Sequence, residues 1–301
     1  MFKKKKTAID IPREDKIMYT VVYIMLGLIL IIVIYPLIYV LSSSFSSGRA
    51  VSNGLVVLLP VEPTTLGYDI VFSYKQVWTG FKNAIIITVV GTAIDLFVTT
   101  LAAYPLSRKD LMFKKVYMTY FMICMFIGGG IIPTYILIAN LKLTNTLWSV
   151  ILSGCLGITN MIIMRTYFIN SIPYELFEAA RIDGITDIGY LLKIVLPLSK
   201  AIMAVITLYY TVGHWNSYFS AMLYIRDRSL LPLQVVLRDI LNASKVDLSQ
   251  IDDAESLERL QAAADLMKYS LIVISSVPML VAYPFVQKYF EKGVMIGSVK
   301  C

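Results

Sequence analysis

Six stretches of this chain are apolar for about 20 residues or more: 17–41, 83–105, 116–139, 147–167, 201–223 and 267–286. A helix rises 1.5 Å per residue, so about 20 apolar residues cross the roughly 30 Å hydrocarbon core of a bilayer. Within that core the backbone must satisfy its own hydrogen bonds, which leaves helices as the economical solution. The fold class predicted is an all-α polytopic membrane protein with six transmembrane helices in a single transmembrane domain over 1–301. Composition agrees, because 57% hydrophobic and only 16% charged residues cannot cover a soluble domain of 301 residues. A soluble enzyme and a disordered chain are both excluded. The net charge of +7 does not indicate a nucleic-acid partner here, since membrane proteins collect Lys and Arg on their cytoplasmic side.

Charge placement orients the spans. The chain opens MFKKKK and the first apolar run is about 25 residues, too long for the roughly 7–15-residue core of a signal peptide. It reads as an uncleaved first span with its basic end inside. Of the 27 lysines and arginines, 17 fall in 1–16, 106–116, 165–200 and 287–301. Both termini are therefore predicted to be cytoplasmic. The outside segment 224–266 is long, with Asp252, Asp253, Glu255 and Glu258 clustered in it.

Little in the sequence carries catalysis. Cys124, Cys155 and Cys301 lack any metal-ligand spacing, and His214 is the single histidine. No P-loop, HExxH or GxSxG motif is present, so neither nucleotide binding, a metal site nor catalysis is expected of this chain. Gly128–Gly130 reads as a kink or close helix contact, or as a break lining a pathway. Asp95, within the second run, should face the bundle interior. It reads as a structural partner, as a position near the membrane edge, or as a substrate contact. His214 and Asn160 read either as hydrogen-bonded membrane residues or as pathway groups. In the fifth run Tyr210, His214 and Tyr218 stand at i, i+4 and i+8, with Asn216 beside them. Such a polar aromatic face should meet a cavity or another helix rather than lipid.

The informative segment is 171–200. Ser171 and Pro173 form a helix start and Gly184 a stop, enclosing about eleven residues. Leu176, Ala179, Ala180 and Asp183 share one face, with Phe177 and Arg181 on an adjacent one. The small Ala179 and Ala180 would let another protein approach closely. A second helix runs on to Leu196-Pro197. By periodicity alone the first helix could equally lie in the membrane interface.

This segment resembles the EAA loop of permease subunits of ABC importers: Glu178-Ala179-Ala180, Asp183-Gly184, Ile194 and Leu196-Pro197 stand in that register. It departs at Leu191 and Lys200, where the family often has Phe and Pro. His214-Trp215-Asn216-Ser217-Tyr218 resembles the Trp-Asn segment of carbohydrate-type permeases. The tail 292–300, Gly129–Pro133 and Leu141–Leu147 are similar to the LplC/YtcP-like subgroup. The resemblance implies a type I importer with the MetI-like fold, in a bacterial, Gram-positive cytoplasmic membrane. Its partners would be a second homologous permease, two ATP-binding subunits that hold ATP and magnesium, and an extracellular solute-binding lipoprotein. Its substrate would be an oligosaccharide or polysaccharide fragment. Glu178, Ala179, Ala180, Asp183, Gly184, Leu196 and Pro197 would then couple to the ATPases. Tyr210, His214, Asn216 and Tyr218 are the pathway candidates, since rings stack on sugar faces and polar groups match sugar hydroxyls. The loop 224–266 would contact the binding protein or fold as a lid. Permeases for peptides or polyamines also carry EAA loops. An ion-coupled secondary transporter would need more buried carboxylates, and a membrane enzyme a denser titratable cluster than Asp95 and His214 provide.

Overall fold

The computed structural model describes residues 12–243 and 254–298, and the regular elements among them are all helical. The principal helices are α1 (Arg13–Ser44), α2 (Lys75–Ser107), α3 (Lys114–Phe126), α4 (Ile131–Asn140), α5 (Leu147–Leu152) and α6 (Ile158–Ser171). They continue with α7 (Tyr174–Ile182), α8 (Lys200–Trp215), α9 (Tyr218–Tyr224), α10 (Leu233–Ala243) and α11 (Ala254–Ser298). Three segments are individually long and apolar enough to cross a membrane: Asp15–Ser44, Lys75–Ser107 and Ala262–Pro284.

Several expected continuous spans are interrupted. The run 116–139 is split into α3 and α4, bent by 111°. The break falls at Gly128–Gly130, where Gly130 has a φ of +82° that a side chain would resist. The run 147–167 is split into α5 and α6 by residues 153–157. The run 201–223 ends as a helix at Trp215. There the Asn216 Nδ2 donates to Val212 O at 2.9 Å and Ser217 Oγ to His214 O at 2.6 Å. Val212 O keeps its helical bond from Asn216 N at 3.1 Å, but His214 O, which a continuing helix would offer to Tyr218 N, is taken by Ser217 N and Oγ. At its other end α8 meets the helical stretch Asp187–Leu198 at a bend of 85°.

The chain forms two units. One comprises residues 12–70 and 254–273. Its core packs Ala50, Val51 and Val56 against Tyr39, Val61 and Tyr269. The serines that end α1 fasten it: Ser42 Oγ donates to Leu58 O at 2.6 Å, and Ser44 Oγ lies 2.8 Å from Tyr68 Oη. The apolar length of α1 is exposed from Ile17 to Leu37, the state of a helix that meets lipid or a partner.

The other unit comprises residues 71–243 and 274–298. Its main core joins Ala103 and Tyr104 of α2, Met161, Met164 and Phe168 of α6, and Ile206 and Tyr210 of α8. Phe177, Ala180, Tyr190 and Val195 belong to the same core, so segment 171–200 is built into the bundle. A second cluster packs Ile87 with Val150, Ile151, Ala221 and Val235. The segment 224–266 is not a plain loop. It contains α10, which buries Leu233, Val235 and Val236, and Asn83 Nδ2 of α2 donates to Ser229 O and Leu231 O just before it. The last apolar run lies within the 45-residue α11, which begins at Ala254. Asp252, Asp253 and Cys301 lie outside the described residues.

Candidate functional site

Two features stand out in the second unit: an exposed, capped helix at 174–182 and a polar pair between α2 and α8. The first is set up by its ends. Pro173 sits at the N-terminal boundary of α7 with extended backbone, and Glu175 and Arg181 occupy the first and last turns, where each suits the helix dipole. The C-terminus closes as a Schellman motif. Ile185 N donates to Ala180 O at 2.9 Å and Gly184 N to Arg181 O at 3.1 Å, with Gly184 at a φ of +74°. A Cβ on Gly184 would meet nothing within 4 Å. The glycine is required for its backbone angle and not for space within this chain.

The buried face differs from the one the periodicity suggested. Phe177 and Ala180 are the buried residues of α7, while Leu176, Glu178, Ala179, Ile182, Asp183 and Gly184 are exposed. Ala179 and Ala180 thus point to opposite environments. The predicted face of Leu176, Ala179, Ala180 and Asp183 lacked its anchor because ring packing decides the helix rotation. Phe177 meets Tyr190 edge-on, with centroids 5.3 Å apart at 74°. The Arg108 guanidinium carbon lies 3.2 Å from the Phe177 ring centre. The outward surface is consequently apolar where water would be expected: Ile182 is 86% and Ile188 71% exposed. Farther along, Leu196 is partly buried, Pro197 is exposed, and Val195 is buried in the core.

Behind α7 lies a cavity of about 280 Å³ lined by Arg108, Lys109, Lys114, Asn170, Tyr174 and Glu175 among others. Its cations are held in place. Arg108 donates from Nε and Nη2 to the two Asp110 oxygens at 2.9 and 2.8 Å. That bond holds the Asp110 carboxyl below the usual carboxylate range, against a smaller opposing effect of burial. Burial works against the charge on Arg108, yet the Asp110 bond and the neighbouring Tyr104, Asp110 and Asp187 leave it more basic than usual. Lys114 Nζ donates to Arg108 O at 2.7 Å. The sequence marked 106–116 by its charge alone; the packing of Arg108 depends on a ring 69 positions away.

The polar pair is deeper. His214 Nε2 lies 2.7 Å from Asp95 Oδ2, with the two side chains 11% and 3% exposed. Asp95 Oδ1, and the Thr88 hydroxyl seven residues earlier on the same face of α2, have no hydrogen-bond partner among the described residues. The ring fits because Gly91 has no side chain: a Cβ there would stand 2.5 Å from His214 Nε2. The sequence had these two as separate polar residues.

The four pathway candidates do not share a face. Tyr210 is buried, and its hydroxyl sits 2.6 Å from Thr99 Oγ1 while accepting from Gly157 N at 3.1 Å. His214 is engaged by Asp95. Asn216 and Tyr218 are exposed, and Tyr218 begins α9 beyond the break at 216–217, so the i+8 relation to Tyr210 is lost. Trp215, between them, is buried, donates from Nε1 to Ser275 O at 3.1 Å and stacks edge-on with Phe81. Asn160 lies against Gly157 on the same side as the Tyr210 hydroxyl. No group of His, Cys, Asp and Glu suited to a metal occurs among the described residues.

Comparison with known proteins fits this architecture. Residues 96–296 match the family described as binding-protein-dependent transport system inner membrane component. The chain is 35% identical over 287 residues to the polygalacturonan/rhamnogalacturonan transport system permease protein YtcP of Bacillus subtilis (strain 168), covering 95% of this chain and 99% of that protein. It is 37% identical over 269 residues to Protein LplC of the same organism, covering 89% and 90%. A chain in the crystal structure of a bacterial ABC transporter involved in import of the acidic polysaccharide alginate superposes with a TM-score of 0.82. That chain is 33% identical, and the match covers 93% of this chain and 99% of that one.

Proposed function

The chain belongs to the family of binding-protein-dependent transport system inner membrane components, and from that premise we propose that it is one permease subunit of an ATP-driven importer for a carbohydrate. The substrate is an oligosaccharide or polysaccharide fragment, as the functions of the YtcP relative and of the alginate transporter suggest. A second, homologous permease completes the pathway, two ATP-binding subunits hold ATP and magnesium, and an extracellular binding protein, a lipoprotein in a Gram-positive cell, delivers substrate. This chain contributes no catalytic group. Its termini and the segment 171–200 face the cytoplasm of a bacterial cell, in keeping with the distribution of Lys and Arg.

One observation carries the reading: α7 buries Phe177 and Ala180 in its own bundle and leaves Leu176, Ala179 and Ile182 uncovered. A capped helix with an apolar outer face fits a groove on another protein, with Glu178 and Asp183 offered to basic groups at its rim. In the cycle, closure of the ATPase dimer pushes α7, and the spans rock between outward- and inward-open states around a fixed path. Exposed Asn216 and Tyr218, at the helix break, are the residues best placed to touch a passing sugar. Tyr210 and His214 hold the wall behind them. Contacts on such a path must be weak, since the sugar leaves as well as enters.

The test is reconstitution of the four-subunit complex with its binding protein in proteoliposomes. ATP-dependent uptake of a uronate-containing oligosaccharide is expected. In Glu178→Lys the ATPases should bind less well and uptake should fall about tenfold or more, as one misplaced charge in an interface commonly costs over 1.4 kcal/mol. Uptake of a peptide or polyamine instead would overturn the substrate class, and unchanged coupling in Glu178→Lys would overturn the docking surface.

A further inference from the structure

The chain connects α7 directly to α6 through Ile172 and Pro173, and to α8 through Asp187–Leu198. It does not connect α7 to α2. Yet α2 carries Asp95 and Thr99, the partners of His214 and Tyr210 on α8. If α2 is to follow a movement of α7, the force must pass through side chains.

Arg108, at the C-terminal boundary of α2, touches everything such a joint needs. Its fork grips Asp110 in its own turn. Nη1 donates to Tyr104 Oη of α2 at 3.2 Å and stands 3.5 Å from Asp187 Oδ1 in the helical stretch Asp187–Leu198. Its flat face covers Phe177 of α7. Tyr104 Oη in turn donates to Asp187 O at 3.1 Å, and the Lys109 ammonium lies 4.4 Å over the Tyr174 ring. The guanidinium is largely committed to contacts within the chain, so the neighbouring cavity is a mechanical joint and not an anion site. A planar cation clamped by a bidentate carboxylate, with a ring against its face, is stiff in a way that an ammonium is not.

We propose that Arg108 is a positioning residue that delivers displacement of the coupling segment to α2, so that α2, α6 and α8 move as one body with α7. This rests on the reading that α7 docks on an ATPase, and the experiment separates the two. Uptake and ATP hydrolysis are measured together in the reconstituted complex, and sugar moved per ATP is the readout. In Arg108→Ala the ATPases should stay bound and hydrolysis should continue, while sugar moved per ATP drops about tenfold, the scale expected for losing a desolvated cation–ring contact. Arg108→Lys should not rescue the ratio, since Lys keeps the charge but neither the fork nor the flat face. A second arm replaces Cys124, Cys155 and Cys301 by Ser, introduces Lys109→Cys and Tyr174→Cys, and joins the new pair with a short bismaleimide. If the joint moves as a body, the bridge leaves uptake intact and restores it in Arg108→Ala. An unchanged ratio in Arg108→Ala, or uptake blocked by the bridge in the otherwise unmodified chain, overturns the proposal. Absence of uptake in the unmodified complex would instead strike the transport reading itself.

Discussion

His214 and Asp95 face each other across the α2–α8 contact at 2.7 Å, one turn along each helix from the Thr99–Tyr210 hydroxyl pair. The pair is nearly sealed from solvent. Removing one partner leaves a buried polar group stranded, which costs far more than the pair's net worth.

His214→Ala is therefore expected to destabilise the subunit by about 3–5 kcal/mol, the usual cost of stranding one member of a buried pair. The double change Asp95→Ala/His214→Ala should cost less than the sum of the single changes. Thermal unfolding of the solubilised complex across the four-member cycle measures it. Additive effects would mean that the two side chains do not support each other.

Gly91→Ala should imitate His214→Ala, because the new methyl would occupy the space of the imidazole. The combination Gly91→Ala/His214→Ala should be more stable than Gly91→Ala alone, since the ring is then gone. The same melting assay reads this. A Gly91→Ala chain of unchanged stability would show that the ring can shift away cheaply.

Tyr210→Phe deletes one hydroxyl that serves two helices. Gly157 N–H would lose its acceptor and Thr99 its partner. Buried donors left unpaired cost about 1–3 kcal/mol. Tyr210→Phe is expected to lower stability by that amount and to loosen the start of α6, seen as faster amide exchange over 157–161. Uptake should fall less than stability does if, as proposed, the buried hydroxyl backs the path and does not line it.

Gly184→Asn should fold normally, since Asn tolerates a positive φ and no atom of this chain opposes a Cβ there. Gly184→Val, β-branched, should unwind the end of α7. If an ATPase packs tightly on this turn, the Asn variant will assemble poorly despite an intact subunit. Pull-down of the ATPases from membranes, with circular dichroism of the isolated permease, separates the two effects.

Met112, 73% exposed in the turn before α3, tests orientation. With the native cysteines replaced, Met112→Cys should react with a membrane-impermeant maleimide only after the cells are opened. Reaction in intact cells would invert the topology. The matching outside position, near 250, lies beyond the residues the structure describes.

The apolar runs disclosed that the chain is a helical membrane protein, because hydrophobic length is a one-dimensional quantity. They did not disclose where spans bend. The Gly128–Gly130 cluster marked a kink in 116–139, which the 111° turn there bears out, but the apolar run 201–223 did not place the stop at Asn216. Those depend on a backbone angle and on side chains that capture carbonyls. Segment 171–200 was legible as a helix–turn–helix from Pro173 and Gly184. Its buried face was not, since Phe177 turns inward to meet Arg108 and Tyr190, whose positions only the fold supplies. The Asp95–His214 pair was hidden for the same reason: each residue was visible, and the distance between them was not.

The bare isoleucines of the coupling segment, Ile182 and Ile188, bear on how a cell can produce this chain at all. If the proposed ATPase covers them, a copy made without it would leave this apolar surface bare, attractive to other unfinished chains and to proteases. Synthesis of the several subunits in fixed proportion would then be a matter of hygiene as much as of economy, and overexpression of this subunit alone should yield short-lived protein.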